Sequence, residues 1–112
     1  MEIKTEIDGN IAVVLLSGRL EAVTSSSVET ALTKEISGGH ARIVLDMRHV
    51  SYVSSAGLRV VLAAAKKCGS AGGGIAIFGL QPGVHEVFSI SGFGKIIPIA
   101  ENYADARVKL PT

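Results

Sequence analysis

Polar and apolar residues alternate at the start of the chain: Ile3, Thr5 and Ile7 are interleaved with Glu2, Lys4 and Glu6. That two-residue period belongs to a half-exposed strand. Asp8-Gly9-Asn10 carries a hairpin turn signal. Ile11 to Leu16 is continuously apolar, as in a strand buried on both faces, and Gly18 is expected to end it. The first two strands should therefore pair antiparallel.

The pattern then changes period. Val28, Ala31, Leu32 and Ile36 form a helical stripe, preceded by capping hydroxyls at Thr24, Ser25, Ser26 and Ser27 and stopped by Gly38-Gly39. Ala41 to Met47 reads as a strand centred on Ile43, Val44 and Leu45, followed by a loop. Leu58, Val61, Leu62 and Ala65 make the next helical stripe, and Lys66 and Lys67 suit the negative end of that helix. The run Gly69 to Gly74 turns into a strand over Ile75 to Phe78. Pro82 opens a helix with Val84, Val87, Phe88 and Ser91 inward, ended by Gly92 and Gly94. Ile96 to Ile99 is expected as a last strand, placed near an edge by Pro98. Asn102 to Leu110 is expected as a final helix, with Tyr103, Ala106 and Leu110 inward. The order is β-β-α-β-α-β-α-β-α, an α/β chain whose opening hairpin implies a small mixed sheet.

Composition narrows the classes. The chain has 112 residues, 47% hydrophobic and 19% charged, which suits one folded domain spanning 1–112. Trp is absent, so the core is built from aliphatic side chains. A net charge of +1 gives no electrostatic reason to expect nucleic acid or a membrane surface. Cys68 is the single cysteine; it allows no internal disulfide, fits a reducing compartment, and reads as a packed side chain. The first residues carry no signal-peptide pattern, and no apolar run approaches the roughly 18 residues of a membrane helix. A soluble cytoplasmic protein is expected.

The chemistry-bearing segment is Asp46-Met47-Arg48-His49-Val50-Ser51-Tyr52-Val53-Ser54-Ser55-Ala56-Gly57-Leu58. It runs from a strand end into a helix start, with two adjacent serines at that start. A helix N-terminus presents unpaired N–H groups and a partial positive charge, so a hydroxyl there is well placed to carry a phosphate. Both serines also suit simple helix capping.

These residues resemble the STAS domain, the fold of bacterial anti-sigma factor antagonists of the SpoIIAA and RsbV kind. In that family a strand ends in Asp, and an aromatic, a hydrophobic residue and Asp-Ser-(Ser/Thr/Ala)-Gly-Leu follow. Here Asp46, Tyr52, Val53, Ser54, Ser55, Ala56, Gly57 and Leu58 occupy those places. Gly18-Arg19-Leu20-Glu21 resembles the family's Gly-x-Leu-Asp, and Ser89-Ile90-Ser91-Gly92-Phe93 its late helix end. The resemblance implies a mixed sheet with the helices gathered mainly on one face. It implies an anti-sigma factor that doubles as a serine kinase as partner and a serine phosphatase to reverse the modification; a monomer is the simplest expectation, and although the family sometimes binds nucleotides, nothing in the sequence demands a cofactor. Ser55 matches the phosphoacceptor, and Ser54 replaces the usual Asp. Ser54 is expected to cap the helix and Ser55 to be its first residue. The Tyr52–Arg59 region, with Tyr52, Ser54, Ala56, Gly57 and Arg59, and the neighbouring Gly18–Thr24 turn, with Glu21 and Thr24, are expected to form the partner-binding surface. Arg59 is either a phosphate partner one turn beyond Ser55 or a surface charge. An alternative within the family is a scaffold of a signalling or transporter complex that ignores phosphate.

Enzyme readings find little support. A nucleophile elbow needs Gly-x-Ser-x-Gly, and Val53 stands where its first Gly should be. His40, His49 and His85 lie in no catalytic or metal motif. The glycine run lacks the Gly-Lys-(Ser/Thr) ending of a phosphate loop. Asp46 is expected as a structural carboxylate that shapes the loop after it.

Overall fold

The computed structural model describes residues 1–110. Its strands are β1 (Glu2–Asp8), β2 (Ile11–Leu20), β3 (Arg42–Val53), β4 (Gly74–Phe78) and β5 (Ile99–Ala100). Its helices are α1 (Ala22–Ser37), α2 (Ser55–Ser70), α3 (Pro82–Ile90) and α4 (Tyr103–Lys109). The strands form one five-stranded sheet in the order β1-β2-β3-β4-β5. β1 runs antiparallel to β2, and the remaining pairs are parallel. This is the mixed sheet expected from the alternation of elements.

Strand alternation divides the core in two. Ala12, Val14, Leu16, Ile43, Leu45, Ile75 and Ile77 face the larger cluster, which Val28 and Leu32 of α1, Leu58 and Val61 of α2, and Val84 and Phe88 of α3 complete. Ile11, Val13, Val44, Ala76 and Phe78 face the other way, against Ala106 and Leu110. Helices α1, α2 and α3 thus share one face and, among the described residues, α4 covers part of the other. Burying a side chain such as Leu32 or Phe88 stabilises the fold by about 1.5–3 kcal/mol, so the three-helix face holds most of the stability.

Six elements differ from the sequence expectation. Gly18 does not end β2: at φ +118 it sits at an irregularity in the ladder, between two register shifts, and β2 continues to Leu20. The expected loop after Met47 is a continuation of β3 to Val53, paired with Ser17 to Leu20; Arg48, His49, Ser51 and Tyr52 are polar or exposed there. Helix α1 starts earlier than its serines suggest, with Glu21 as N-cap and Thr24 in its first turn. The buried stripe of α2 is Gly57, Leu58, Val61, Ala64 and Cys68, rotated from the expected one; Leu62 and Ala65 are half-buried. The Ile96–Ile99 strand is replaced by a 3-10 turn at Phe93–Lys95 and by the two-residue β5. Ser91 is exposed rather than inward. Cys68 is fully buried, and burial pushes its thiol up to about 11.

Candidate functional site

β2 and β3 end side by side, and the chain turns from each into a helix. Ser54 N–H donates to Leu20 O at 2.9 Å, fastening one turn to the other. Ser54 has the extended backbone of an N-cap (φ −91, ψ 174), and its Oγ accepts from Gly57 N–H at 3.2 Å. Ser55 is the first residue of α2 and is exposed. The two serines therefore divide the roles: one hydroxyl closes the helix start and the other faces water.

Gly57 is buried, and a Cβ added there would lie 2.7 Å from Leu20 Cγ and 2.8 Å from Leu20 O. Its contribution to the surface is the close approach of α2 to β2, which leaves Ser55 and half-buried Ala56 as a low, small-residue platform. Tyr52, 41% exposed, and exposed Arg59 flank it. No acidic residue lies in the first turn of α2, and among the described residues Arg59 makes no ion pair.

The neighbouring turn is built by Thr24. Its hydroxyl donates to Arg19 O at 2.7 Å and accepts from Glu21 N–H at 3.0 Å, so the chain between β2 and α1 is fixed from within α1. Glu21 Oε2 accepts from Arg19 Nε at 3.1 Å, and the Arg19 guanidinium lies 4.3 Å from the centre of the Tyr52 ring. Such stacking orients the ring. Glu21, Thr24, Tyr52, Ser54, Ser55, Ala56, Gly57 and Arg59 thus fall in one region, although Gly57 and the Thr24 hydroxyl are structural. Arg19 lies within the Gly18–Thr24 turn expected to border this face, but its stacking on Tyr52 is not legible in the sequence. Its place opposite Tyr52 depends on the two register shifts between β2 and β3, which no local pattern announces.

Asp46 lies apart from this surface, on the α4 side. It is 2% exposed and accepts from Arg48 N–H, Nε and Nη2 at 3.1, 3.0 and 2.8 Å. Burial, the largest single influence, pushes its carboxyl up. The Arg48 hydrogen bonds and charge, with His49, outweigh it and hold the group below its ordinary value. Arg48 in turn lies over Gly79, where a Cβ would meet its side chain at 2.3 Å, and its carbonyl accepts from Gln81 Nε2. Asp46 is a structural carboxylate that folds Arg48 across the β4–α3 turn. Among the described residues no three His, Cys, Asp or Glu gather as a metal site, and no helix is long and apolar enough to cross a membrane.

Comparison with known proteins bears on this geometry. Residues 2–106 match the STAS domain. A Bordetella bronchiseptica protein described as an anti-sigma factor antagonist, BtrV, is 37% identical over 107 residues, covering 96% of this chain and 91% of that protein. The anti-sigma F factor antagonist of Paenibacillus polymyxa is 32% identical over 111 residues, covering 98% and 95%. The phosphorylated form of the Bacillus cell fate determinant SpoIIAA superposes with a TM-score of 0.73 over 96% of this chain and all of that one, at 22% identity. This chain belongs to the STAS domain family, among relatives that are anti-sigma factor antagonists.

Proposed function

We propose that this domain binds an anti-sigma factor that is also a serine kinase, releasing a sigma factor, and that phosphorylation of Ser55 ends the binding. The observation that carries this reading is the exposed Ser55 hydroxyl beside a capping Ser54 whose own hydroxyl is engaged. Tyr52, Ser55, Ala56 and Arg59 form the docking face, and the Glu21–Thr24 turn borders it. The domain acts as a binding protein of the cytoplasm. ATP is used by the kinase and no cofactor is held here; a serine phosphatase restores the unmodified form.

The switch needs no change of fold. A phosphate adds about −1.5 to −2 charges at neutral pH to a face whose centre, Ser55 and Ala56, is made of small side chains. A loss of affinity of about 10–1,000-fold corresponds to roughly 1.4–4 kcal/mol, which an unpaired charge forced into an interface supplies. In the free domain the helix start returns about 0.3–2 kcal/mol of favourable interaction with the anion. The modified protein stays folded and loses its partner.

One observation favours a second reading. Ser54 stands where the family has Asp, which removes a negative charge beside the acceptor. A scaffold role independent of phosphate is compatible with that change. Affinity capture from the source cell's lysate separates the two, using wild type, Ser55→Ala and Ser55→Asp as baits. An ATP-dependent serine kinase held by the first two and lost by the third supports the switch. Equal capture by all three makes Ser55 a surface residue and favours the scaffold.

A further inference from the structure

The β2–β3 ladder is irregular where it reaches the docking face, and the irregularity re-aims one side chain. Gly18 pairs with Val50, so an unbroken ladder would set Arg19 opposite Ser51. Instead β3 takes up one extra residue, and Arg19 stands opposite Tyr52, with Leu20 opposite Val53. Extra residues of this kind turn a side chain to a new neighbour and recur beside functional sites.

Arg19 is then held at both ends. The Thr24 hydroxyl donates to its carbonyl oxygen at 2.7 Å. At the other end Glu21 Oε2 accepts from its Nε at 3.1 Å, and the guanidinium lies over the Tyr52 ring, 4.3 Å from the centre. A side chain that is 58% exposed would otherwise keep most of its rotamer freedom. Here the backbone turn, the carboxylate and the ring together fix it in one place.

We infer that Arg19 is a positioning residue of the docking face: it acts on the partner through Tyr52, whose ring it holds ready before the partner arrives. This role rests on the reading of the Ser55 face as the surface that docks a serine kinase. Tyrosine is a common anchor of protein interfaces, and an anchor already immobilised gives up less freedom on binding. Tyr52 keeps 41% of its surface open for a partner while the guanidinium covers one side of the ring. The charge of Arg19 is already met by Glu21, so Arg19 supplies ring orientation rather than a free cation. The competing role, a direct ion pair between Arg19 and the partner, predicts a different response to lysine.

Arg19→Lys keeps the charge but lacks the planar fork that stacks on the ring while reaching Glu21. Calorimetric titration against the serine kinase captured by wild type should show Arg19→Lys and Arg19→Met each about two- to fivefold weaker, the size of an exposed cation–π pair. In a Tyr52→Leu background Arg19→Met should cost nothing further, because the two residues act as one unit. Aromatic carbon relaxation should show the Tyr52 ring less ordered in both Arg19 variants, with the Tyr103 ring and the unfolding temperature as in wild type. Arg19→Lys binding as tightly as wild type overturns the inference and leaves the Ser55 switch standing. So does a loss for Arg19→Met that is the same with and without the Tyr52 ring, or a Tyr52 ring equally ordered in all three proteins. If wild type captures no serine kinase, the docking reading falls and the positioning role falls with it.

Discussion

The Gly57 backbone packs against Leu20 so closely that an added Cβ would lie 2.7 Å from Leu20 Cγ and 2.8 Å from Leu20 O. One glycine therefore sets how near α2 comes to the end of β2, and with it the height of the Ser55 platform. Gly57→Ala should destabilise the domain by about 1–3 kcal/mol, even though alanine favours helix by up to about 1 kcal/mol. Urea denaturation measures this. A variant as stable as wild type would mean that the contact relaxes freely.

The cap and the proposed acceptor can be separated. Ser54→Ala removes the acceptor for Gly57 N–H and should cost about 0.5–2 kcal/mol. Ser54→Asp keeps the cap and should be near neutral, since Ser and Asp cap equally well. Thermal unfolding of the pair checks this. Equal losses in both variants would show that capping is not what Ser54 contributes.

Asp46 makes a pH-dependent contribution. Its carboxyl is held below its ordinary value in the folded protein, so its stabilising effect is present above the unfolded-state value and is lost as pH falls through the folded one. Arg48→Met leaves burial unopposed by its main partner. The acid unfolding midpoint, followed by circular dichroism, should then move to higher pH. An unchanged acid limb would contradict the account of Asp46.

The elements legible in the sequence are those with a clear period. Ile3–Ile7 and Ile11–Leu16 gave the hairpin, and Leu58 and Val61 gave the helix face. The extension of β3 through Arg48, His49 and Ser51 was hidden because those residues look like a loop. They pair with the end of β2 only because irregularities around Gly18 keep the ladder in step. Four hydroxyls at 24–27 concealed the true helix start, where Thr24 reaches back to Glu21 N–H instead of capping forward. In the candidate site, the helix start at Ser54 and Ser55 was readable from local chemistry, whereas the acceptor role of Ser55 rests on the family resemblance. The Arg19–Tyr52 stack was not readable, since it joins strands distant in sequence through a shifted register.

Arg59 sits one helical turn beyond Ser55, is exposed and has no acidic neighbour in the first turn. If Ser55 carries a phosphate, Arg59 should favour its dianion by an amount typical of a helical ion pair, about 0.2–0.5 kcal/mol. Phosphorus NMR of the Ser55-phosphorylated domain should show the second ionisation moving to higher pH in Arg59→Gln. An identical titration curve would make Arg59 a plain surface charge.

The most direct test of the central claim is a calorimetric titration of the captured kinase with unmodified and Ser55-phosphorylated protein, alongside circular dichroism of both. The account predicts that phosphorylation lowers affinity by about 10–1,000-fold while the spectrum and unfolding temperature are retained. Equal affinity for the two forms, or a loss of binding that follows unfolding of the modified domain, would contradict it.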